Sequence, residues 1–259
     1  MLYNIPTLIL VSVMLLVMVA TVEIGIRVGM RFGQKTWSNA HEIHTALTGA
    51  TLALMGLMLA FTFNMSAGRY DVRKNLIVSE ASAIESAQHA VSFLAPAARS
   101  EAESLLRFYT AKRVAYLAVG NDADRERHVI AQSRALFGEL WRVATTAGNY
   151  AATEPQLRAV QYGELTRALL DVGDEATQRE AARDRRVPEP VLFMLFALAI
   201  GASGILAYIS GASGHPDRLP TYGVLILICL VIFLTIDFDR PRRGLVRIDA
   251  APLQRLLSE

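Results

Sequence analysis

Cysteine is almost missing from this sequence. Of 259 residues only Cys229 is one, and it lies inside an apolar run. An intrachain disulfide and any cysteine-based metal centre are therefore excluded. Charge of one sign is also missing. The 26 Lys and Arg residues stand against 24 Asp and Glu, which leaves a net charge of +2. Bulk basicity thus gives no argument for a nucleic-acid partner. No phosphate loop of the form G-x-x-x-x-G-K-[ST], no H-E-x-x-H zinc helix and no G-x-S-x-G nucleophile elbow occurs. His89 and His128 stand alone, and the acidic residues follow helical charge runs of the kind that cover solvated faces. The expectation is no enzyme and no cofactor. There is also no run of alternating β-branched residues, so the expected fold class is all-α.

Apolar length is what the chain has instead. Hydrophobic residues make up 53% of it, and the mean hydropathy is +0.32. Ile5–Val22 is an apolar run of about 18 residues, enough for a membrane span. No Lys or Arg precedes it and no small-x-small cleavage site follows, so it reads as a retained span rather than a cleaved signal. From Ala46 to Met65 no side chain is charged, which marks a second span. Val191–Ile209 is a third, closed by the loop G-A-S-G-H-P-D-R-L-P. Tyr222–Ile236, about 15 residues, is a fourth, and is short for a crossing unless its flanks enter the interface.

The second span runs on without a proline into a charged helix until Pro96. Arg69, Asp71, Arg73 and Lys74 mark the exit from the membrane. Ile77, Ile84 and Val91 then recur every seventh residue, with Ala81 and Ala95 each offset by four from one of them, a seam for other helices. Further helical stretches follow over Glu101–Leu117, Ala123–Ala147 and from Thr153, read as an N-cap before Pro155, to about Arg185. The expected organisation is spans one and two in 1–65, a helical cytoplasmic domain in 66–187 that begins as an extension of the second span, spans three and four in 188–238, and a tail in 239–259. Four spans put both termini and the inserted domain on one side. Arg240, Arg242, Arg243 and Arg247 after the last span, with Arg69, Arg73 and Lys74, place that side in the cytoplasm, against Arg27, Arg31 and Lys35 in the first loop. The expected location is the inner membrane, with the lipid bilayer as a partner.

Several local patterns admit two readings. Gly25, Gly29 and Gly33 sit four apart, as a close helix–helix approach or as a helix end rich in small residues. Glu23 can pair with Arg27. Gly49, Ala53, Gly56 and Ala60 form a second small-residue stripe, expected to lie against the first span. Leu57 and Phe61 are core or lipid-facing residues, or they narrow a pore by excluding water. His41 and His44 make a weak metal pair next to Trp37, which suits an interface. In D-F-D, Asp237 and Asp239 bind a cation, pair with Arg240 or Arg243, or cap the chain as it leaves the helix.

F-T-F-N-M-S-A-G-R-Y-D-V-R, at Phe61–Arg73, resembles the exit of the second span in bacterial bestrophins. D-F-D-R-P-R-R-G-L-V-R-I, at Asp237–Ile248, is similar to the closing motif of the bestrophin-like domain family, and the order of parts agrees over nearly the whole chain. The resemblance implies self-association as a pentamer around a central pore lined by the second span. Ala53, Leu57, Phe61 and Asn64 would line it, with Phe61 at the innermost neck and an inorganic ion as permeant. Arg69, Arg73 and Lys74 would sit at the cytoplasmic mouth and favour anions, partly offset by Asp71. Animal bestrophins are gated by calcium through an acidic cluster, but two carboxylates at Asp237 and Asp239 carry no calcium site over. The alternative function is a non-conducting membrane scaffold or sensor whose helical domain binds a partner.

Overall fold

The computed structural model describes residues 5–33, 37–120, 122–146, 149–214, 216, 218–240, 245–246 and 248–258, and the side chains of these apart from 37–41 and 184. Among them every named element is a helix. In order they are α1 (Thr7–Val28), a π-helical turn (Gly29–Gly33), α2 (Trp37–Val91), α3 (Pro96–Ala118), α4 (Ala123–Thr145), α5 (Pro155–Asp184), α6 (Glu189–Ala212), α7 (Arg218–Asp239) and α8 (Ala251–Ser258). An isolated antiparallel bridge joins Leu94 to Tyr150. The chain divides into two compact units, Met1–Tyr70 with Arg186–Val246 and Asp71–Arg185 with Arg247–Glu259. Helix α2, 55 residues long, contributes to both.

Among the described residues four stretches are long and apolar enough to cross a membrane: Thr7–Gly33, Glu42–Val91, Glu189–Ala212 and Arg218–Asp239. The fourth is longer than its apolar run. Pro220 lies in the first turn of α7, where a missing N–H costs nothing, and Asp237–Asp239 form its last turn. The helix therefore has 22 residues, about 33 Å at 1.5 Å per residue. Leu10, Met14, Met18, Val22 and Ile26 of α1 recur every fourth residue and are buried with Leu195, Ala199 and Ala202 of α6 and Leu225, Ile228, Ile232 and Ile236 of α7. Each such side chain taken from water contributes about 1.5–3 kcal/mol in a soluble core. Between helices already in lipid that term vanishes and close fit has to supply the attraction.

That fit comes from the first glycine stripe. A Cβ on Gly25 would lie 2.8 Å from the Ala207 Cβ, one on Gly29 would fall on the Tyr208 carbonyl oxygen, and one on Gly33 would strike Ala212. Gly25, Gly29 and Gly33 are a close-approach surface, and their partner is α6. The second stripe differs from expectation. A Cβ on Gly49 or Gly56 meets nothing within 4 Å, and Ala53 and Ala60 are exposed. The stripe does not seat the first span, because α6 already fills that side of α1.

In the second unit the seven-residue seam holds. Ile77, Ala81, Ile84 and Val91 of α2 are buried with Ala102, Leu106 and Tyr109 of α3, Leu140 and Val143 of α4, and Leu165, Leu169 and Val172 of α5. The 239–259 tail is not a loose end. Leu253 and Leu256 of α8 are buried in this same core, with Ile248 packed against it. Asp122 caps α4, its carboxylate accepting from the N–H groups of Asp124 and Arg125 at 3.1 and 3.0 Å. The N-cap of α5 is Glu154 rather than Thr153. Pro155 takes the first helical position, and a residue preceding proline is held extended, here at ψ 130°.

Candidate functional site

The candidate site is one face of α2. A helix turns about 100° per residue, which puts Ala53, Leu57, Phe61 and Asn64 on one side within about 80° of each other. All four are exposed, Leu57 to 53% and Phe61 to 62%. The opposite side is committed to the unit's interior. Met55 is buried, with Leu52, Met58, Leu59 and Met65 partly so. Ser66 donates to the Thr235 carbonyl of α7 at 2.5 Å, and Phe63 and Tyr70 meet the Phe238 ring at 5.7 and 5.3 Å. The threonine hydroxyls turn back on their own helix. Thr48 and Thr51 donate to the His44 and Leu47 carbonyls at 2.9 and 2.7 Å, and buried Thr62 donates to Met58. Asn64 is thus the one amide left on the open face of this span.

The three bases at the exit do not share that face. Arg73 is only 8% exposed. Its Nε donates to the Ala182 carbonyl at 3.3 Å and its terminal nitrogen to the Arg185 carbonyl at 2.6 Å. It holds the C-terminal end of α5, where carbonyls lack helical partners. Arg69 is half-buried and Lys74 is exposed, each about 100–120° around the helix from Leu57.

Asp237 and Asp239 are both buried, and backbone amides donate to both. The two oxygens of Asp237 accept from the Leu245 and Val246 N–H groups, both at 3.0 Å. Asp239 accepts from the Val187 N–H at 3.2 Å. These bonds are of the capping kind and tie the chain on either side of α6 and α7; the Arg243 of the pairing reading lies outside the described residues. Arg240 donates to the Ile5 carbonyl and, at 3.4 Å, to the Thr7 hydroxyl. Arg242, Arg243, Arg247, Lys35 and the side chains of Trp37 and His41 lie outside the described residues. His44 stands edge-on to the Tyr208 ring at 6.2 Å. Among the described residues no group of three or more potential ligands could hold a metal ion. Glu23 pairs with Arg27 at 3.8 Å and with Arg218 at 3.6 Å, and accepts from the Tyr222 hydroxyl at 2.5 Å.

The model of the bestrophin-like domain matches residues 16–253. The chain belongs to the bestrophin-like family. No curated protein matches this bestrophin-like sequence. Two crystal structures of a bacterial bestrophin homologue from Klebsiella pneumoniae share its fold. One, with a leucine-to-threonine mutation, has a TM-score of 0.61 at 11% identity and covers 93% of this chain and 96% of its own. The other, with a tryptophan-to-alanine mutation, has a TM-score of 0.60 at 15% identity and covers 97% and 96%.

In the helical unit of this bestrophin-like chain, one constellation escaped the sequence reading. Glu80 of α2 is fully buried, and its two oxygens take Arg113 of α3 and Arg179 of α5. Arg113 also pairs with Glu180 at 2.8 Å, and Glu180 with Arg134 of α4 at 2.8 Å. The Tyr116 ring lies 5.1 and 5.0 Å from the two buried guanidinium carbons. Burial works against the charge on Arg113, but Glu80 beside it outweighs this and holds the guanidinium above its usual range. A signal was present in the sequence. Glu80 falls on the seam between Ile77 and Ala81, Arg113 four residues after Tyr109, and Arg179 seven after Val172. Each is a charge in register with an apolar stripe, which is where an ion pair has to be if it is buried.

Proposed function

We propose that this chain is a subunit of a homo-oligomeric ion channel of the bacterial inner membrane, with α2 lining the pore. The observation that carries the reading is how little of α2 the chain itself covers. In its most apolar window 11% of the residues are buried, against 28%, 33% and 39% in the other three spans. Its open face combines small residues at Gly49, Ala53, Gly56 and Ala60 with two large apolar ones at Leu57 and Phe61. Small residues let copies of a helix approach an axis closely, and a ring of Leu and Phe side chains gates by expelling water. A pentamer follows from the family resemblance. The orientation follows from the basic residues after the second and fourth spans, which put the helical unit and both termini in the cytoplasm.

A second reading, a scaffold or sensor whose helical unit binds a partner, is favoured by the exposed apolar side chains Phe108 on α3 and Leu157, Val160 and Leu170 on α5. Native mass spectrometry from detergent separates the two. A pentamer followed by ion flux in liposomes supports the channel, whereas a monomer stable across detergents leaves no axis for a pore. Phe61→Ala should then raise the flux several-fold, and unchanged flux in a conducting protein removes Phe61 from the neck.

A further inference from the structure

At one end of the first unit α1 finishes beside the start of α7, and a carboxylate there gathers two guanidiniums from different helices. Glu23 is half-buried. One of its oxygens accepts from the Tyr222 hydroxyl at 2.5 Å. The other faces Arg27 at 3.8 Å and Arg218 at 3.6 Å. Both gaps are too long for a hydrogen bond, so the attraction is one of charge and the guanidiniums keep their N–H groups. Among the described residues they have no other partner, and their side chains are open, Arg27 to 72% and Arg218 to 55%. Their terminal nitrogens share one carboxylate oxygen and are therefore within about 7.5 Å of each other, a gap that the two non-bridging oxygens of one phosphodiester bridge at about 2.7–2.9 Å per contact.

Depth places this pair at the lipid headgroups. Thr7–Gly33 has 27 residues, about 40 Å of helix, against a hydrocarbon core of about 30 Å. Its last turns, with Arg27, therefore pass the acyl chains, and Arg218 is the first residue of α7. Deeper in the membrane the surface is apolar and open. Leu16 of α1 and Ile226 of α7 are exposed to 69% and 58%, and lie within about 20° of Arg27 and about 80° of Arg218 around their helices. We infer that Arg27 and Arg218 clasp the phosphate of an anionic phospholipid, whose acyl chains run down over Leu16 and Ile226. Glu23 is a positioning residue, which offsets the repulsion between the two cations and is itself held by Tyr222. Arg27, Arg218 and Glu23 together carry one positive charge, and a phosphodiester with an otherwise neutral headgroup neutralises it. A zwitterionic lipid brings its own cation and gains less. The wider end keeps the same sign: Arg27, Arg31, Lys35 and Arg218 stand against Glu23, Glu42 and Asp217, of which Lys35 and Asp217 lie outside the described residues. The assignment does not depend on α2 lining a pore.

The test is native mass spectrometry of the full-length protein in detergent, titrated separately with phosphatidylglycerol, phosphatidylcholine and sodium phosphate. The wild type should bind phosphatidylglycerol at least about fivefold more tightly than phosphatidylcholine. Arg27→Gln and Arg218→Gln each remove one charged side of the clasp and should each weaken phosphatidylglycerol at least about tenfold. Arg107→Gln, at an exposed base of the second unit, should leave that affinity unchanged. Phosphatidylglycerol should also raise the melting temperature of the wild type more than that of either clasp variant, a difference that an arginine with a purely structural role does not produce. Equal binding of the two lipids by the wild type, or an unchanged phosphatidylglycerol affinity in both clasp variants, overturns the assignment. Displacement of the lipid by an equal concentration of sodium phosphate overturns it too, and marks a site for free phosphate instead. The wild-type comparisons decide the matter even where a variant does not fold.

Discussion

Replacing Glu80 with glutamine keeps the size of the side chain and removes one charge. Glu80 is the shared counter-ion of Arg113 and Arg179, and both guanidiniums are shut off from water. In the variant, Arg113 retains Glu180 at 2.8 Å, while Arg179 retains no counter-ion, keeping the Arg113 carbonyl at 3.1 Å and the Tyr116 ring. Removing one partner of a buried pair costs about 3–5 kcal/mol, because the other charge stays buried without compensation. Domains of this size have about 5–15 kcal/mol in total, so the loss is a large fraction. At about 2–4 °C per kcal/mol, the midpoint should fall by about 10 °C. Trp141 reports on this core, stacked on Phe137 with ring centroids 6.4 Å apart. Thermal unfolding of the full chain in detergent, followed by Trp141 fluorescence in a Trp37→Phe background, measures the shift. The companion variant replaces the whole group, Glu80→Leu with Arg113→Met and Arg179→Leu, and should recover most of the loss, since apolar substitution of a complete buried ion group is often neutral or stabilising. A Glu80→Gln midpoint within about 2 °C of wild type, or a triple variant as unstable as the single one, would refute the reasoning.

Further outcomes follow from the same structure. Gly29→Ala places a methyl group on the Tyr208 carbonyl and should cost about 1–3 kcal/mol by overpacking, whereas Gly56→Ala, with open space around it, should leave the melting temperature of the dissociated subunit unchanged or slightly raised. Asp237→Ala leaves the Leu245 and Val246 amides without their acceptor and should cost about 1–3 kcal/mol, read from the melting temperature of the purified protein. Because backbone amides already donate to both carboxylates, calcium or a chelator should leave the wild-type melting temperature unchanged. Burial pushes the Tyr150 hydroxyl up to about 12, and Tyr109 is raised in the same direction by burial. With folded values above the unfolded one near 10, the neutral rings favour the fold below pH 10, and that contribution is lost as the pH rises from about 10 towards 12. A denaturation series at alkaline pH should show stability falling across that window, less steeply in Tyr150→Phe.

The sequence by itself determined the helices and the width of their apolar faces. Uncharged runs of span length, the seven-residue seam from Ile77 to Val91 and the absence of alternating β-branched residues leave only an all-helical membrane chain, because backbone groups in lipid have to be satisfied within each span. Motif composition at Phe61–Arg73 and Asp237–Ile248 carried the family as well. What covers each face was decided by tertiary structure. Two glycine stripes read alike in the sequence, yet Gly25, Gly29 and Gly33 receive α6 while Gly49 and Gly56 stay open, since periodicity records the width of a face and not its occupant. Arg69, Arg73 and Lys74 form one basic cluster along the chain, but a turn of about 100° per residue scatters them, and Arg73 ends up holding the carbonyls at the end of α5. Asp237 and Asp239 have the composition of a cation site, and only the return of Leu245, Val246 and Val187 to them fills their oxygens with amides. Glu80 meets partners 33 and 99 positions away. No local pattern fixes such a pairing, because it exists only once three helices have packed with their charges at the same level.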